Sequence, residues 1–186
     1  MLKLLSPDTT GASPLPYVQN PMLESLRGLK TLGGYSLSGK FPSLRLIAAD
    51  GHESPAGLSD YFTVGLLNIF SERLKSALQN IGAELEFFPV TLEYEGRAST
   101  TEYFVGNLLR RISGLDLNHS SVELDEELGD ALSVAKLVLD ETKFDGVKIA
   151  VVDEIQRIIV SDDVIKAIQD SGCTGCIFIE PSEVRY

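Results

Sequence analysis

Cysteine and long apolar runs are both scarce in this chain of 186 residues, and each scarcity excludes a class of protein. Only two cysteines occur, close together, so the sequence excludes a disulfide framework and suits a reducing compartment. No run of about 18 apolar residues is present, which argues against a membrane span. The apolar stretch at Met1–Leu5 is too short for a secretory signal. We therefore expect a cytoplasmic protein that does not contact a membrane.

Basic residues are also scarce, particularly in the last two-fifths of the chain. The formal net charge is -11. Residues 1–114 carry 10 basic and 11 acidic residues, whereas residues 115–186 carry 6 and 16. A surface of this sign repels phosphates, so we expect no nucleic acid as a partner. The concentrated acidity indicates either a basic partner or a solvated acidic face that keeps the protein soluble.

Motifs of the common enzyme classes are missing as well. The chain contains no P-loop, no dinucleotide-binding glycine fingerprint and no zincin sequence. The run HSS at 119–121 lacks the nucleophile-elbow sequence of serine hydrolases, and the run NHS at 118–120, before a predicted strand, is typical of a turn. Paired carboxylates occur at Asp125–Glu127, Asp153–Glu154 and Asp162–Asp163. Acid–base catalysis needs such groups in different environments within a cleft, which nothing in the sequence indicates. We therefore expect no catalytic residues.

The two cysteines have the C-x-x-C spacing of a redox or metal pair, at Cys173 and Cys176. Redox use requires the first cysteine at a helix N-terminus, where the dipole lowers the thiol pKa, but Cys173 follows a predicted helix end. Metal binding requires about four ligands, and the two histidines, His52 and His119, are isolated in predicted loops. We expect both cysteines to pack in the core or in a turn, with no metal and no cofactor.

One pattern of twelve residues occurs twice, as SERLKSALQNIG at 71–82 and as SDDVIKAIQDSG at 161–172, with four identical positions. Each copy begins with a serine and an acidic residue, which favour a helix N-terminus. Apolar residues then recur at helical spacing up to a glycine that stops the helix. Because β-prone residues flank each copy, the pattern predicts two strand–helix–strand units, at about 66–90 and 158–180. Pro89 indicates an edge strand or an early end for the strand of the first unit.

The remaining segments alternate between β-prone runs and turn signals. Four further strands are expected, at residues 43–48, 102–112, 136–139 and 147–152. Residues 1–42 are rich in turn signals, so we expect irregular structure there beyond a short strand or helical turn near Leu23–Leu29. No low-complexity linker divides the chain, which favours one domain over 1–186. The fold class predicted is α+β, with mixed and antiparallel sheets and two short capped helices.

Two acidic segments and one basic doublet are candidates for recognition. Residues 118–131 are predicted to form an acidic loop or a short helix, either solvated or docking a cationic partner. Asp162 and Asp163 are explained by helix capping. The doublet Arg110–Arg111 lies on a predicted strand, where its side chains point to opposite faces. We therefore expect at least one of the two arginines to pair with a carboxylate of the acidic half.

Several short motifs follow one another in an order that resembles a known family. In chain order they are the first helix pattern, Phe87-Phe88-Pro89, YFVGNLL at 103–109, LDLNHS at 115–120, KLVLD at 136–140, and the second helix pattern with Gly-x-x-Gly at 172–175. This order, over roughly Ser43–Ile179, is similar to that of the type 11 immunity domain of bacterial polymorphic-toxin systems, formerly a domain of unknown function. The family usually has apolar residues where this chain has its cysteines, which favours a packing role for both.

The resemblance implies an immunity protein that binds and neutralises a cognate toxin, with no catalytic residues and no cofactor. It does not locate the toxin-contacting surface, which varies between members of the family. The acidity does indicate a surface, because nuclease toxins are commonly basic and an acidic inhibitor associates quickly through electrostatic steering. We expect the partner-binding surface to include seven carboxylates: Glu123, Asp125, Glu126, Glu127, Asp130, Asp153 and Glu154.

Two other hypotheses stay open. The chain could be a structural module that associates with itself through an edge strand, in which case its oligomeric state depends on concentration. It could also be an enzyme of an unrecognised type, using carboxylates near Glu123–Asp130 or Asp153–Glu154. The enzyme hypothesis requires a well-formed cleft that holds a carboxylate with a strongly raised pKa.

Overall fold

A computed structural model describes residues 1–10, 17–18, 24–47, 58–94 and 96–186. These described residues form two α-helices, α1 (Glu72–Asn80) and α2 (Asp162–Asp170), and three sheets, so the predicted α+β class is confirmed. Short 3-10 helices lie at Glu24–Leu26, Glu141–Phe144 and Pro181–Glu183. Within the described residues, neither helix has the length and apolar character of a membrane span.

The strands, in chain order, are β1 (Leu2–Pro7), β2 (Tyr17–Val18), β3 (Leu44–Ile47), β4 (Tyr61–Val64), β5 (Leu67–Ser71), β6 (Leu85–Tyr94), β7 (Arg97–Ala98), β8 (Tyr103–Leu108), β9 (Arg111–Ile112), β10 (Ser121–Leu124), β11 (Ala131–Lys136), β12 (Ile149–Val152), β13 (Arg157–Ser161) and β14 (Cys176–Ile179). The first sheet has the order β14-β1-β13-β12-β9, and the second has β2-β3-β6-β8-β5-β4 with β7 on β6. The strands β10 and β11 form a separate hairpin.

The first sheet contains a strand that the sequence did not predict. The segment Leu2–Pro7 lies between β13 and β14, and Leu4 pairs with Ile159 on one side and with Ile179 on the other. Residues 1–42 are therefore not irregular throughout. Leu4 and Leu5 are both buried on opposite faces of the sheet, so the strand lacks the alternation of apolar and polar residues that marks a half-exposed strand.

The second sheet corrects two predictions. The strand β6 is interior, because it pairs in parallel with β3 and antiparallel with β8. Pro89 is tolerated because it lies just before the pairing with β3, which begins at Val90. The strand predicted over 102–112 is two strands, since the chain leaves the second sheet after Leu108 and joins the first sheet at Arg111.

One hydrophobic core is shared by both helices and both large sheets. It contains Leu74 and Leu78 of α1 and Val164 and Ile168 of α2, and the two helices pack against each other. Phe70 enters it from the second sheet, and further buried side chains of the first sheet join it, namely Leu5, Ile149, Val151, Ile158 and Val160. The residues that alternate with these along the strands, such as Ile159, point to the opposite face of the sheet. They pack in a second core that includes Val134 of the hairpin.

The helix ends show how closely the two copies of the pattern agree. Ser71 caps α1 as predicted, because its hydroxyl accepts from the Leu74 amide at 3.2 Å. Ser161 occupies the same position before α2, but its hydroxyl makes no capping bond and is buried without a hydrogen-bond partner. Ser161 is therefore the N-cap residue of α2, as predicted, but its side chain does not contribute to the cap. Gly82 and Gly172 adopt the left-handed conformation expected of helix stops, with φ of 69° and 63°.

The structural similarity between the two units covers more residues than the twelve-residue sequence pattern. Each unit is a hairpin, a helix and a strand: β4-β5-α1-β6 in one and β12-β13-α2-β14 in the other. The Ser71 amide donates to the Asp60 carbonyl at 2.8 Å, and the Ser161 amide donates to the Lys148 carbonyl at 2.9 Å. Asp60 and Lys148 also form hydrogen bonds with the opposite unit, through their side chains.

The reciprocal contacts join each hairpin to the loop after the other helix. The Asp60 carboxylate accepts from the Thr174 amide at 2.8 Å, after α2. The Lys148 ammonium donates to the Ile81 carbonyl, after α1. Because both bonds run from one unit to the helix end of the other, they fix the two units against each other.

Candidate functional site

The acidic segment at 118–131 forms the β10–β11 hairpin rather than the predicted loop or helix, and its tip is rigidly built. The Asp125 carboxylate accepts from the Glu127 amide at 2.9 Å and from the Leu128 amide at 2.7 Å. The Gly129 amide donates to the Asp125 carbonyl at 2.9 Å. The Asp125 side chain thus stabilises its own turn through backbone amides. Glu126, Glu127 and Leu128 in this turn are exposed.

The structure brings the two predicted acidic segments together. The Ala131 amide donates to the Glu154 carbonyl, and the Gln156 side-chain amide donates to the Asp130 carboxylate at 2.9 Å. Both contacts join the hairpin to the turn between β12 and β13. A groove of about 530 Å³ lies between them and is lined from both sides, by Asp130 on the hairpin and by Asp153 on the turn.

Asp153 is paired with the basic doublet, as expected for at least one of its arginines. The Arg111 guanidinium lies 2.5 Å from an Asp153 carboxylate oxygen and also donates to the Leu32 carbonyl at 2.9 Å. Arg110 instead lies 3.5 Å from Glu84. Asp153 therefore contributes less negative charge to the groove than the sequence indicates.

Glu154 also lines the groove but offers it little accessible surface, so its place among the partner-binding residues stays a prediction. Its side chain is buried, with 8% of the residue exposed. The carboxylate accepts from the Ser113 hydroxyl at 2.6 Å and from the amides of Gly114 and Leu115 at 3.1 and 3.4 Å. Glu154 thus fixes the segment 113–115 from inside the protein.

The remaining predicted carboxylates stay on the surface. Glu123 is exposed and accepts from Ser133 across the hairpin at 3.2 Å. Glu126 and Glu127 are exposed, and no side chain of the described residues pairs with them. No lysine or arginine occurs between residues 112 and 135, so nothing within this stretch neutralises the field at the tip.

Exposed leucines are the feature of this region that the sequence analysis missed. Leu117 and Leu132 are each 59% exposed, and Leu128 is 77% exposed. Leu117 and Leu128 line the same groove as Asp130, together with the half-buried Leu124. One sequence signal could have indicated an exposed leucine here. It is the isolated leucine inside an acidic turn, EELGD at 126–130.

The cysteines pack as predicted. Both are free and partly buried, and both lie against the core shared by the two helices. Burial raises the pKa of Cys173 to about 11 and that of Cys176 to about 12, the opposite of what redox use requires. In the described part of the chain, no three residues among His, Cys, Asp and Glu could hold a metal ion together. His52 lies outside the described residues.

His119 ends a turn at 117–119, and Ser120 connects this turn to β10. The His119 ring nitrogen Nδ1 lies 2.6 Å from an Asp116 carboxylate oxygen, and this bond lowers the pKa of Asp116. The Ser120 hydroxyl donates to the Val138 carbonyl at 3.0 Å. These bonds leave His119 exposed at the surface and Ser120 occupied in holding the chain.

A cleft of about 730 Å³ lies at the start of α2. Its carboxylates include Asp162, which is 2.9 Å from the Met1 ammonium, and this bond raises the pKa of that ammonium. Where a described carboxyl has a clearly shifted pKa, as in Asp116 and Glu93, the shift is downward. The raised carboxyl pKa that the enzyme hypothesis requires is not among the shifts found in the described residues.

Comparison with protein families gives one match that covers most of the chain. The model of an immunity protein family, Imm11, matches residues 29–183. A comparison with curated proteins finds no match.

Proposed function

The chain belongs to the Imm11 immunity protein family, and from that membership we propose that it binds and neutralises a cognate bacterial toxin. The toxin would belong to a polymorphic toxin system, and the neutralisation would occur in the cytoplasm. The protein acts by occupying a surface of the toxin and performs no bond chemistry itself.

The observation that best supports this proposal is the hairpin tip. Glu126 and Glu127 project from a turn that Asp125 holds in place, so their charges are available to a partner without rearrangement. Asp130 and Asp153 extend the acidic surface into the groove beside the tip. We propose that this face docks on a basic toxin surface, such as the phosphate-binding cleft of a nuclease.

Co-expression tests the function. The toxin module encoded by the adjacent upstream gene is expressed in a sensitive host with and without this chain, and the two purified proteins are mixed in a pulldown. Neutralisation predicts survival only when both are present, together with a stable complex. Absence of both survival and a complex would contradict the proposal. If the purified chain then forms oligomers whose size depends on concentration, the self-association hypothesis takes its place.

Charge reversal tests the docking face. The double variant Glu126→Lys/Glu127→Lys is expected to slow association with the toxin about tenfold or more, because steering depends on these exposed charges. The matched control, Glu102→Lys/Asp145→Lys, changes the net charge equally at exposed positions outside the hairpin. High salt should slow the wild type and reduce the difference between variants. Equal association rates for both double variants would remove the hairpin from the docking face.

A further inference from the structure

The groove beside the hairpin combines apolar walls with an acidic rim. Leu117 and Leu128 are among the most exposed large apolar side chains of the described residues, and with Leu124 they line one groove. Single exposed leucines are common on protein surfaces, whereas apolar side chains that converge on a polar-rimmed groove are typical of interaction sites. Burial of these side chains by a partner is favourable because it removes apolar surface from water.

The walls of the groove are fixed before any partner arrives. The carboxylate of Asp125 holds the turn that carries Leu128. The buried carboxylate of Glu154 holds residues 113–115, directly before the segment that carries Leu117. A groove that needs no ordering on binding loses little conformational entropy, which favours tight binding by a few central contacts.

The charges around the groove specify its occupant. Asp130 lies on the rim, and Glu126 and Glu127 project from the same turn as Leu128. Among the described residues that line the groove, the one cation, Arg111, is already bonded to Asp153 and to the Leu32 carbonyl. A second copy of this chain would bring an identical acidic rim against the first, which is unfavourable for a symmetric contact. A partner with lysine or arginine beside an apolar side chain complements both features.

We propose that the cognate toxin inserts an apolar side chain between Leu117 and Leu128, while a neighbouring lysine or arginine meets Asp130 and the carboxylates of the tip. This inference rests on the proposed function and assigns different kinetic roles to the glutamates and to the leucines. The exposed glutamates set the rate of association, and the leucine groove sets the rate of dissociation, because apolar anchors act mainly after the encounter.

The test compares leucine variants for binding to the catalytically inactivated toxin module of the adjacent gene, measured by surface plasmon resonance at two salt concentrations. Leu117→Ser/Leu128→Ser should raise the dissociation rate constant at least about tenfold, with an unchanged association rate constant and the same increase at high salt. The control is Leu66→Ser, at an exposed leucine of the β4–β5 turn outside the groove, which should bind like the wild type. Thermal melts of both variants should match the wild type, because the three leucines are exposed.

The outcomes separate the two proposals. A wild-type chain that fails to bind the toxin overturns the proposed function and this inference with it. If the wild-type chain binds and the Leu117→Ser/Leu128→Ser variant dissociates no faster, the proposed function stands and the groove proposal is overturned. Equal acceleration by Leu66→Ser also overturns it, since the effect would not be local. A wild-type dimer that the double variant abolishes would show that a second copy, and not the toxin, occupies the groove.

Discussion

Asp60 joins the two units of the fold, and its replacement by alanine should destabilise the protein strongly. The residue is 7% exposed, and its carboxylate accepts from the Ser71 hydroxyl at 2.6 Å and from the Thr174 amide and hydroxyl at 2.8 and 3.1 Å. Arg73 lies 3.6 Å away. A hydrogen bond to a charged group contributes about 1.5–3 kcal/mol, and such contributions are not additive within one cluster.

Asp60→Ala removes three acceptor contacts and leaves the Thr174 amide without its partner, so we expect a loss of about 3–5 kcal/mol in the free energy of unfolding. Asp60→Asn keeps one acceptor oxygen and should lose less, about 1–3 kcal/mol. Urea unfolding followed by circular dichroism measures both. Asp162→Ala serves as the control, because its bond to the Met1 ammonium lies at the exposed surface and should leave the free energy of unfolding nearly unchanged. A loss below about 1 kcal/mol for Asp60→Ala would refute the view that this carboxylate fixes the two units together.

Two further predictions use the repeat and the cysteines. Ser71→Ala should cost about 2–4 kcal/mol in urea unfolding, because it removes both the cap on Leu74 and the hydroxyl that donates to the buried Asp60 carboxylate. Ser161→Ala should change stability by less than about 0.5 kcal/mol, because that hydroxyl has no partner to lose. Equal losses would contradict this difference. Burial raises the pKa of Cys173 to about 11 and of Cys176 to about 12, so their contribution to stability is complete below pH 9 and declines as the pH rises toward 11. Native protein at pH 8 should react with a thiol reagent at least about 100-fold more slowly than urea-unfolded protein, and equally fast labelling would contradict the burial.

The helices and their ends could be predicted from the sequence because their signals are local. Serine, acidic first turn, apolar spacing and glycine stop all lie within twelve residues, and α1 and α2 begin and end where these signals place them. The hydroxyl of Ser161 shows the limit of that reasoning. The same residue at the same helix position caps in one copy and not in the other, because side-chain orientation depends on the surrounding packing.

Strand order and exposure could not be predicted, because they depend on contacts between distant segments. The segment Leu2–Pro7 lacks alternation since both of its faces are buried. The change of sheet between Leu108 and Arg111 leaves no mark in composition. Glu154 and Glu126 have the same side chain, and only the fold buries one and exposes the other. The sequence therefore predicted the acidic segments, but it did not predict the groove that lies between them.

The position of β1 determines when the first sheet can be completed during synthesis. Leu2–Leu5 pair with residues 158–161, and Leu4–Pro7 pair with residues 176–179, so the gap between β13 and β14 can close only after Ile179 has left the ribosome. Contacts so distant in the chain form late and slowly. Leu4 shares a core with Val134 of the hairpin, so the hairpin receives its last support at that moment. A nascent chain that stalls before β14 would therefore leave one edge of β1 unpaired and the core beneath the hairpin incomplete.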